Sequence, residues 1–396
     1  MLQPKLSRLA GIAVALAIVA SAAPRPSAAA DVFEINAILS ITGPGSFLGK
    51  NEQLGLELIQ DNVNKTGGIA GRPIKFVIAD DQSTPQVALQ LANGLIAKKV
   101  SSIIGPSLVG GCNAIQAIVK TDGPLMYCLS AGFHPDKGTY GFTYGISTHD
   151  LIAVNVRYFR NRGLKKIALI TSTDASGQDG EAGIDEALAR PEFKDVQLVA
   201  REHYAVADQT VAAQMSRIKA SGAQAVFAWG TGSPIGTVLH AYQDLGMTIP
   251  IGVSASNLIY TEMQQFASIL PPGFVSAGLP CVAPSSIPPG ALRNAVRQFV
   301  DALKAVNEHS DVAKAVSWDP GNILVGAYKK LGTGATPAQI RDYISGLHGF
   351  AGANGDYDFR DGSQRGLTEQ NAIMVRWDAP QDTWVAISKF GGLPLK

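Results

Sequence analysis

From residue 33 onward, short apolar runs alternate with stretches whose apolar positions recur every three to four residues. Residues 33–41 read as a strand, and 50–64 as a helix with Leu54, Leu58 and Ile59 on one face, stopped by Gly67-Gly68. The beat continues with a strand at 74–79, a helix at 84–99 opened by Pro85, a strand at 102–104, a helix at 113–120 and a strand at 125–129. It restarts with helices at 151–161, 178–189, 210–221 and 235–245. These interleave with strands at 166–171, 196–204, 225–229 and 249–253. Strands alternating with helices of this length imply parallel sheets covered on both faces. A break near Ser147 and a proline-rich one at 271–289 divide the chain. Helices follow at 292–306 and 322–330, and residues 356–359 and 372–377 alternate like antiparallel strands.

The expected fold is therefore α/β, with two doubly wound lobes joined by a multi-strand hinge. One lobe takes residues 31–147 with 278–353, the other 148–277 with 354–396. In sheets of this kind ligands sit beyond the carboxyl ends of the strands. Two facing lobes would thus line a cleft with the loops 40–49, 80–84, 105–111, 130–133, 172–179, 229–234 and 253–260.

Residues 1–30 change the compartment. Lys5 and Arg8 precede an uncharged run at 11–20, and Ala28-Ala29-Ala30 forms a small-residue cleavage pattern before Asp31. This order reads as a signal peptide, with an apolar run too short to span a bilayer. The expectation is an exported, periplasmic chain. Its net charge of +1 and 16% charged residues show no basic footprint for nucleic acid. Three cysteines allow at most one disulfide. Cys112–Cys128 is a candidate pair if both sit at the same end of adjacent strands, and small buried apolar residues are the alternative.

Quoted together, Thr42-Gly43-Pro44, Leu48-Gly49, Gly55, the run from Asn64 through Gly67-Gly68 to Arg72-Pro73, Asp80-Asp81, Pro85 and Ile103-Ile104-Gly105-Pro106 resemble the leucine/isoleucine/valine-binding family of periplasmic proteins. Ile167-Ala168-Leu169-Ile170, Ser176-Gly177 and Asp208 extend the resemblance through the middle. It implies a type I periplasmic-binding fold, a hinged cleft, a monomer, and the permease of an ABC importer as partner. It also implies that loop N–H groups and hydroxyls of the first lobe hold a ligand carboxylate, at Leu108, Val109, Gly110, Gly111 and Cys112 and at Ser130, Ala131, Gly132 and Phe133. Gly110-Gly111 ahead of a helix suits an anion, because free N–H groups gather at a helix N-terminus.

The sequence departs from the family where the ligand ammonium would be met. The acidic residue expected after the strand at 249–253 is replaced near Ser254, with Ala255 and Ser256 beside it. The tyrosine expected before Gly177 is Ser176. A desolvated ammonium without a carboxylate is costly. Phe47, Phe133, Trp229 and Tyr260 lie in or beside cleft loops, where they would wall an aromatic acid or be ordinary core. Tyr127 reads as core. Asp174, Gln178 and Asp179 supply second-lobe polar contacts or cap a helix.

Other motifs are weak. Gly230-x-Gly232-x-x-x-Gly236 lacks the acidic ribose partner of a dinucleotide fold. Gly252-x-Ser254-x-Ser256 lacks the last glycine of a hydrolase elbow. The histidines show no metal-binding spacing, and His134 alone adjoins a cleft loop, as an anion contact or as a surface residue. The reading is a non-enzymatic solute-binding protein without cofactor or metal. It would bind a small carboxylate, an aromatic acid ahead of a Leu/Ile/Val-type amino acid, through Phe47, Leu48, Leu108–Gly111, Ser130–Phe133, Ser176, Trp229 and Ser254. A ligand-sensing module is the alternative class.

Overall fold

Two parallel sheets organise the chain. The computed structural model describes residues 1, 2 and 31–395, so the signal-peptide reading lies outside the described residues. The first sheet contains β1 (Phe33–Leu39), β2 (Ile74–Asp80), β3 (Ser102–Ile104), β4 (Leu125–Cys128) and β5 (Gly141–Thr143), in the order β2-β1-β3-β4-β5, all parallel. Helices α1 (Ser46–Lys65), α2 (Pro85–Ala97) and α3 (Val109–Val119) connect its strands. β3 and β4 are buried at every residue, as strands covered on both faces must be.

The second lobe opens with α4 (Thr148–Asn161), capped by the Ser147 hydroxyl, which accepts from the Asp150 N–H. It continues through β6 (Lys166–Ser172), α5 (Ala175–Ala189), β7 (Gln197–Tyr204), α6 (Ala212–Ala220), β8 (Ala225–Trp229), α7 (Ile235–Asp244), β9 (Ile251–Val253), α8 (Tyr260–Gln265) and β10 (Phe274–Gly278).

The chain then returns with α9 (Ala291–Lys304), α10 (Val312–Leu331), α11 (Pro337–Ser345), β11 (His348–Ala351) and β12 (Asp356–Asp358). It ends in β13 (Ile373–Asp378) and β14 (Thr383–Phe390). The second sheet has the order β14-β13-β10-β9-β8-β6-β7, with its last two strands in sequence antiparallel. No described helix is long and apolar enough to cross a membrane.

α10 runs ten residues further toward its N-terminus than the sequence pattern suggests. Pro320 argues against a helix there because it lacks an N–H donor. Packing on α1 overrides that preference. A Cβ on Gly55 would fall 2.6 Å from the Lys314 carbonyl oxygen, so glycine alone permits the approach. The Ser317 hydroxyl donates to the Glu52 carbonyl at 2.8 Å across the same seam.

Residues 354–365 pack on the first lobe, beyond the expected boundary at 353. Thr143 N–H donates to the Gln364 carbonyl at 3.0 Å, and the buried Asp319 carboxylate accepts from Ala353 N–H, Asn354 N–H and the Tyr357 hydroxyl. The third crossing between lobes therefore follows Arg365. A disulfide joins Cys112 to Cys128, while Cys281 is free and buried. Cys112 sits in α3, not on a strand, so the bridge ties a helix to the end of β4.

Candidate functional site

The carboxyl ends of the two sheets face each other across a cleft of about 510 Å³, part of it open to solvent. The first lobe contributes Leu48 from α1, Ser107 after β3, Leu129, Ser130, Ala131 and Gly132 after β4, and Tyr144 after β5. Thr148 and Leu151 of α4, Ser176 and Asp179 of α5, Trp229 at the end of β8, Thr231, and Ser254, Ala255 and Ser256 after β9 close the opposite side. Val312 and Val316, one turn apart on α10, form the end wall.

Of the residues expected at the site, Leu48, Ser130, Ala131, Gly132, Ser176, Trp229 and Ser254 converge on this one cavity. Leu108, Val109, Gly110 and Gly111 border an adjoining hollow with Asp174, Ala175 and Ser176. The two glycines do not precede α3 but occupy its first turn. A Cβ on Gly110 would lie 3.0 Å from Pro85, and one on Gly111 2.9 Å from Pro106, so they serve close packing.

Two expected residues lie elsewhere. Phe133 is fully buried with Met126, Cys128 and Ile115, because its ring turns inward under the first sheet. Phe47 joins a small apolar cluster with Leu48, Leu108, Ile259 and Ala313. Tyr260 also leaves the cleft and stacks on His309 with ring centroids 3.8 Å apart. Tyr127 is core.

Trp229 is 3% exposed, and its indole lies over α5. The missing side chain of Gly180 makes that possible, since a Cβ there would fall 2.3 Å from the ring. Opposite, the N–H groups of Ala131 and Gly132 have no acceptor among the described residues. A line of hydroxyls crosses the wall: Ser254 and Ser256 are 2.8 Å apart, and Ser256 and Thr231 3.2 Å apart. Asp174 caps α5, accepting from Gly177 N–H at 3.1 Å and from the Ser176 hydroxyl at 2.9 Å.

The Ser254 loop brings no carboxylate to the cleft, but another element does. Asp179 lines the cleft, and its Oδ2 is buried without a hydrogen-bond partner among the described residues. Its Oδ1 lies 2.7 Å from His134 Nε2 and 3.3 Å from His149 Nε2. Burial opposes ionisation, but the two histidines outweigh it and pull the carboxyl down to about 2. The Asp179 carboxylate beside its Nε2 in turn raises His149. From the sequence Asp179 stands either as a second-lobe polar contact or as a helix cap, and the structure brings it into the cleft. Ser107 and Thr231 fall in the expected cleft loops 105–111 and 229–234, whereas Tyr144, Thr148, Leu151, Val312 and Val316 were missed. The valines belong to the unanticipated half of α10, and Tyr144 follows a strand of three residues. No Lys or Arg lines the cleft among the described residues.

A cleft between two α/β lobes, built from strand-end loops and crossed three times by the chain, is the architecture of a protein that closes on a solute. Residues 33–382 match the family described as periplasmic binding protein. The chain belongs to the periplasmic binding protein family. Proteins of this family bind solutes and are not enzymes. A Leu/Ile/Val-binding protein, BraC3, of Rhizobium johnstonii is 23% identical over 91% of this chain and 96% of its own.

Among solved structures, the branched-chain amino-acid substrate-binding protein LivJ of Streptococcus pneumoniae, in complex with isoleucine, has a TM-score of 0.76 and 20% identity, covering 90% of this chain and 99% of its own. A solute-binding protein of an ABC transporter from R. palustris, in complex with benzoate, has a TM-score of 0.75 and 20% identity, covering 91% and 96%. These two likenesses establish the shared two-lobed fold.

Proposed function

We propose that this periplasmic binding protein works as a monomer, closes on a small carboxylate in the cleft between its lobes, and passes it to the permease of an ABC importer. The first lobe receives the carboxylate at the Ala131 and Gly132 N–H groups and the Ser130 hydroxyl, and the second lobe closes over it. Water leaves on closure, and the polar contacts strengthen as the local dielectric falls.

An aromatic acid is the preferred solute. The observation that carries this is the placement of Trp229 and Tyr144 in one cavity with Leu151, Val312 and Val316, opposite unpartnered N–H groups. The R. palustris protein of the same fold was solved with benzoate.

The unpartnered Oδ2 of Asp179 favours a second reading, an amino acid of the Leu/Ile/Val type whose ammonium meets that oxygen. A thermal-shift screen separates the two. One panel holds the proteinogenic amino acids, the other benzoates, phenylacetates and cinnamates, and a solute that binds only the folded state raises the melting temperature. A shift with the aromatic panel alone supports the first reading. A shift with leucine, isoleucine or valine replaces it with the second, and no shift with either panel removes both.

A further inference from the structure

We propose that His134, His149 and Asp179 form a binding site for one divalent transition-metal ion, bridging the two lobes at the rim of the cleft. His134 lies in the loop after β4, in the first lobe. His149 stands in the first turn of α4, just past the first crossing, and Asp179 on α5. One ligand atom from each lies within 4.8 Å of the other two. Two of the separations are 2.7 and 3.3 Å. Ligand atoms bound tetrahedrally at zinc distances sit about 3.3 Å apart. An ion would therefore require His134 to withdraw by about 0.6 Å from Asp179, and its exposed position allows that.

The hydrogen bonds around His149 leave a place for a cation. Its Nδ1 lies 2.7 Å from Glu186 Oε2, so the neutral ring carries its proton on Nδ1. The Nε2 lone pair then faces a carboxylate oxygen of Asp179 at 3.3 Å, and Nε2 has no hydrogen-bond partner among the described residues. Two lone pairs at that distance repel unless a proton or a metal ion stands between them. A carboxylate on the far nitrogen of a histidine is also the usual outer partner of a metal-bound imidazole, fixing its tautomer and raising its basicity.

The donor set selects the ion. Two imidazole nitrogens and one carboxylate oxygen suit Zn²⁺, Ni²⁺ or Cu²⁺, whereas Ca²⁺ and Mg²⁺ prefer oxygen. Three protein ligands leave one position for water. His134 is 45% exposed and opens onto a surface hollow shared with Glu186 and Asp361, which gives an ion a path. The nearby cation Arg365 is engaged with the Phe133 and Gly145 carbonyls. Since His134 and Asp179 belong to different lobes, a bound ion favours their apposition. It also occupies Asp179 Oδ1 while Oδ2 faces the cleft, so metal and solute affinities are coupled, each changing the other by the same factor.

The test is titration calorimetry of untagged, chelator-stripped protein with Zn²⁺ in the absence of any solute, with Mg²⁺ as control. The expected result is one Zn²⁺ per chain with a micromolar or tighter Kd and no Mg²⁺ heat. His134→Gln and His149→Gln should each weaken Zn²⁺ binding at least about tenfold, and Glu186→Gln, through the outer partner, by about tenfold. Absence of saturable one-to-one binding overturns the site, as does unchanged affinity in His134→Gln, an exposed position whose replacement leaves folding intact. Because no solute is present, failure here leaves the solute reading standing, and the solute screen run in chelator tests that reading without the ion.

Discussion

Glu52, which has no exposed surface, is hydrogen-bonded to Ser107, and Ser107 lies in the wall of the cleft. Burial pushes the Glu52 carboxyl up to about 8, against the lowering effect of that hydrogen bond. The Ser107 hydroxyl donates to Glu52 Oε2 and accepts from the Ser40 N–H at 3.0 Å, which ties the buried acid to the cleft wall.

This arrangement makes stability depend on pH in a defined direction. Between the ordinary carboxyl value of 4.5 and about 8, the folded state holds a proton that the unfolded chain has lost. Stability is therefore fully present below that window and falls as pH rises through it, by up to about 1.4 kcal/mol per unit. Glu52→Gln keeps the hydrogen bond and removes the titration. Its melting temperature should match the parent protein at pH 5 and exceed it at pH 8.5. The slope should be reduced but not abolished, because Glu262 is also buried and pushed up to about 8. Parallel melting curves at both pH values would show that Glu52 does not carry the effect.

Trp229→Ala should weaken binding of an aromatic acid more than about tenfold, equivalent to ~1.4 kcal/mol. Gly180→Ala should have a similar effect from behind, because the new methyl group would displace the indole it now supports. Calorimetric dissociation constants check both, and an unchanged value for Trp229→Ala removes the indole from the site.

Gly232 in the second lobe sits against Pro44 in the first, and a Cβ there would fall 2.4 Å from the Pro44 carbonyl oxygen. Gly232→Ala should hold the lobes apart. The backbone at φ +85° adds strain of about 1–2 kcal/mol, but that strain is present whether the lobes are open or closed. Solute affinity should therefore fall at least about tenfold, and the radius of gyration at saturating solute should stay at its solute-free value in small-angle scattering. Normal compaction with solute would show that Pro44 yields.

The Cys112–Cys128 bridge closes a short loop, with a sequence separation of 16. In the chain-entropy view such a loop is worth about 3 kcal/mol. Reduction, or the double change to serine, should lower the midpoint of urea unfolding with little change in slope. An equal midpoint with and without reductant would show that the bridge adds nothing to stability.

Much of the architecture is legible from residues 33 to 253, where buried strands such as β8 and amphipathic helices such as α4 alternate with little ambiguity. The last third is not. Pro320 disguises α10, β5 and β12 have three residues each, and β10 follows Pro271-Pro272, which signals a break. α11 did carry a signal, since Thr336-Pro337 with Gln339 forms a capping box. At the site, glycine and hydroxyl loops such as Ser130–Gly132 announce themselves by following strands. At Asp179 the sequence leaves a cleft contact and a helix cap both open, because a carboxylate inside a helix looks the same whether it faces solvent or a cleft. His134 and His149 meet only after the chain has folded back, so no spacing rule finds them.

The seam between α1 and α10 also orders the protein's assembly in time. Leu56 and Ile59 pack near Gly321, on a helix that the chain reaches only after β6 to β10 of the second sheet have been synthesised. Domains generally form as units from the N-terminus. Here the first sheet emerges first, yet its apolar flank stays bare until α10 arrives, and the second sheet waits longer still for β13 and β14. That flank is the surface on which a chaperone could hold the chain.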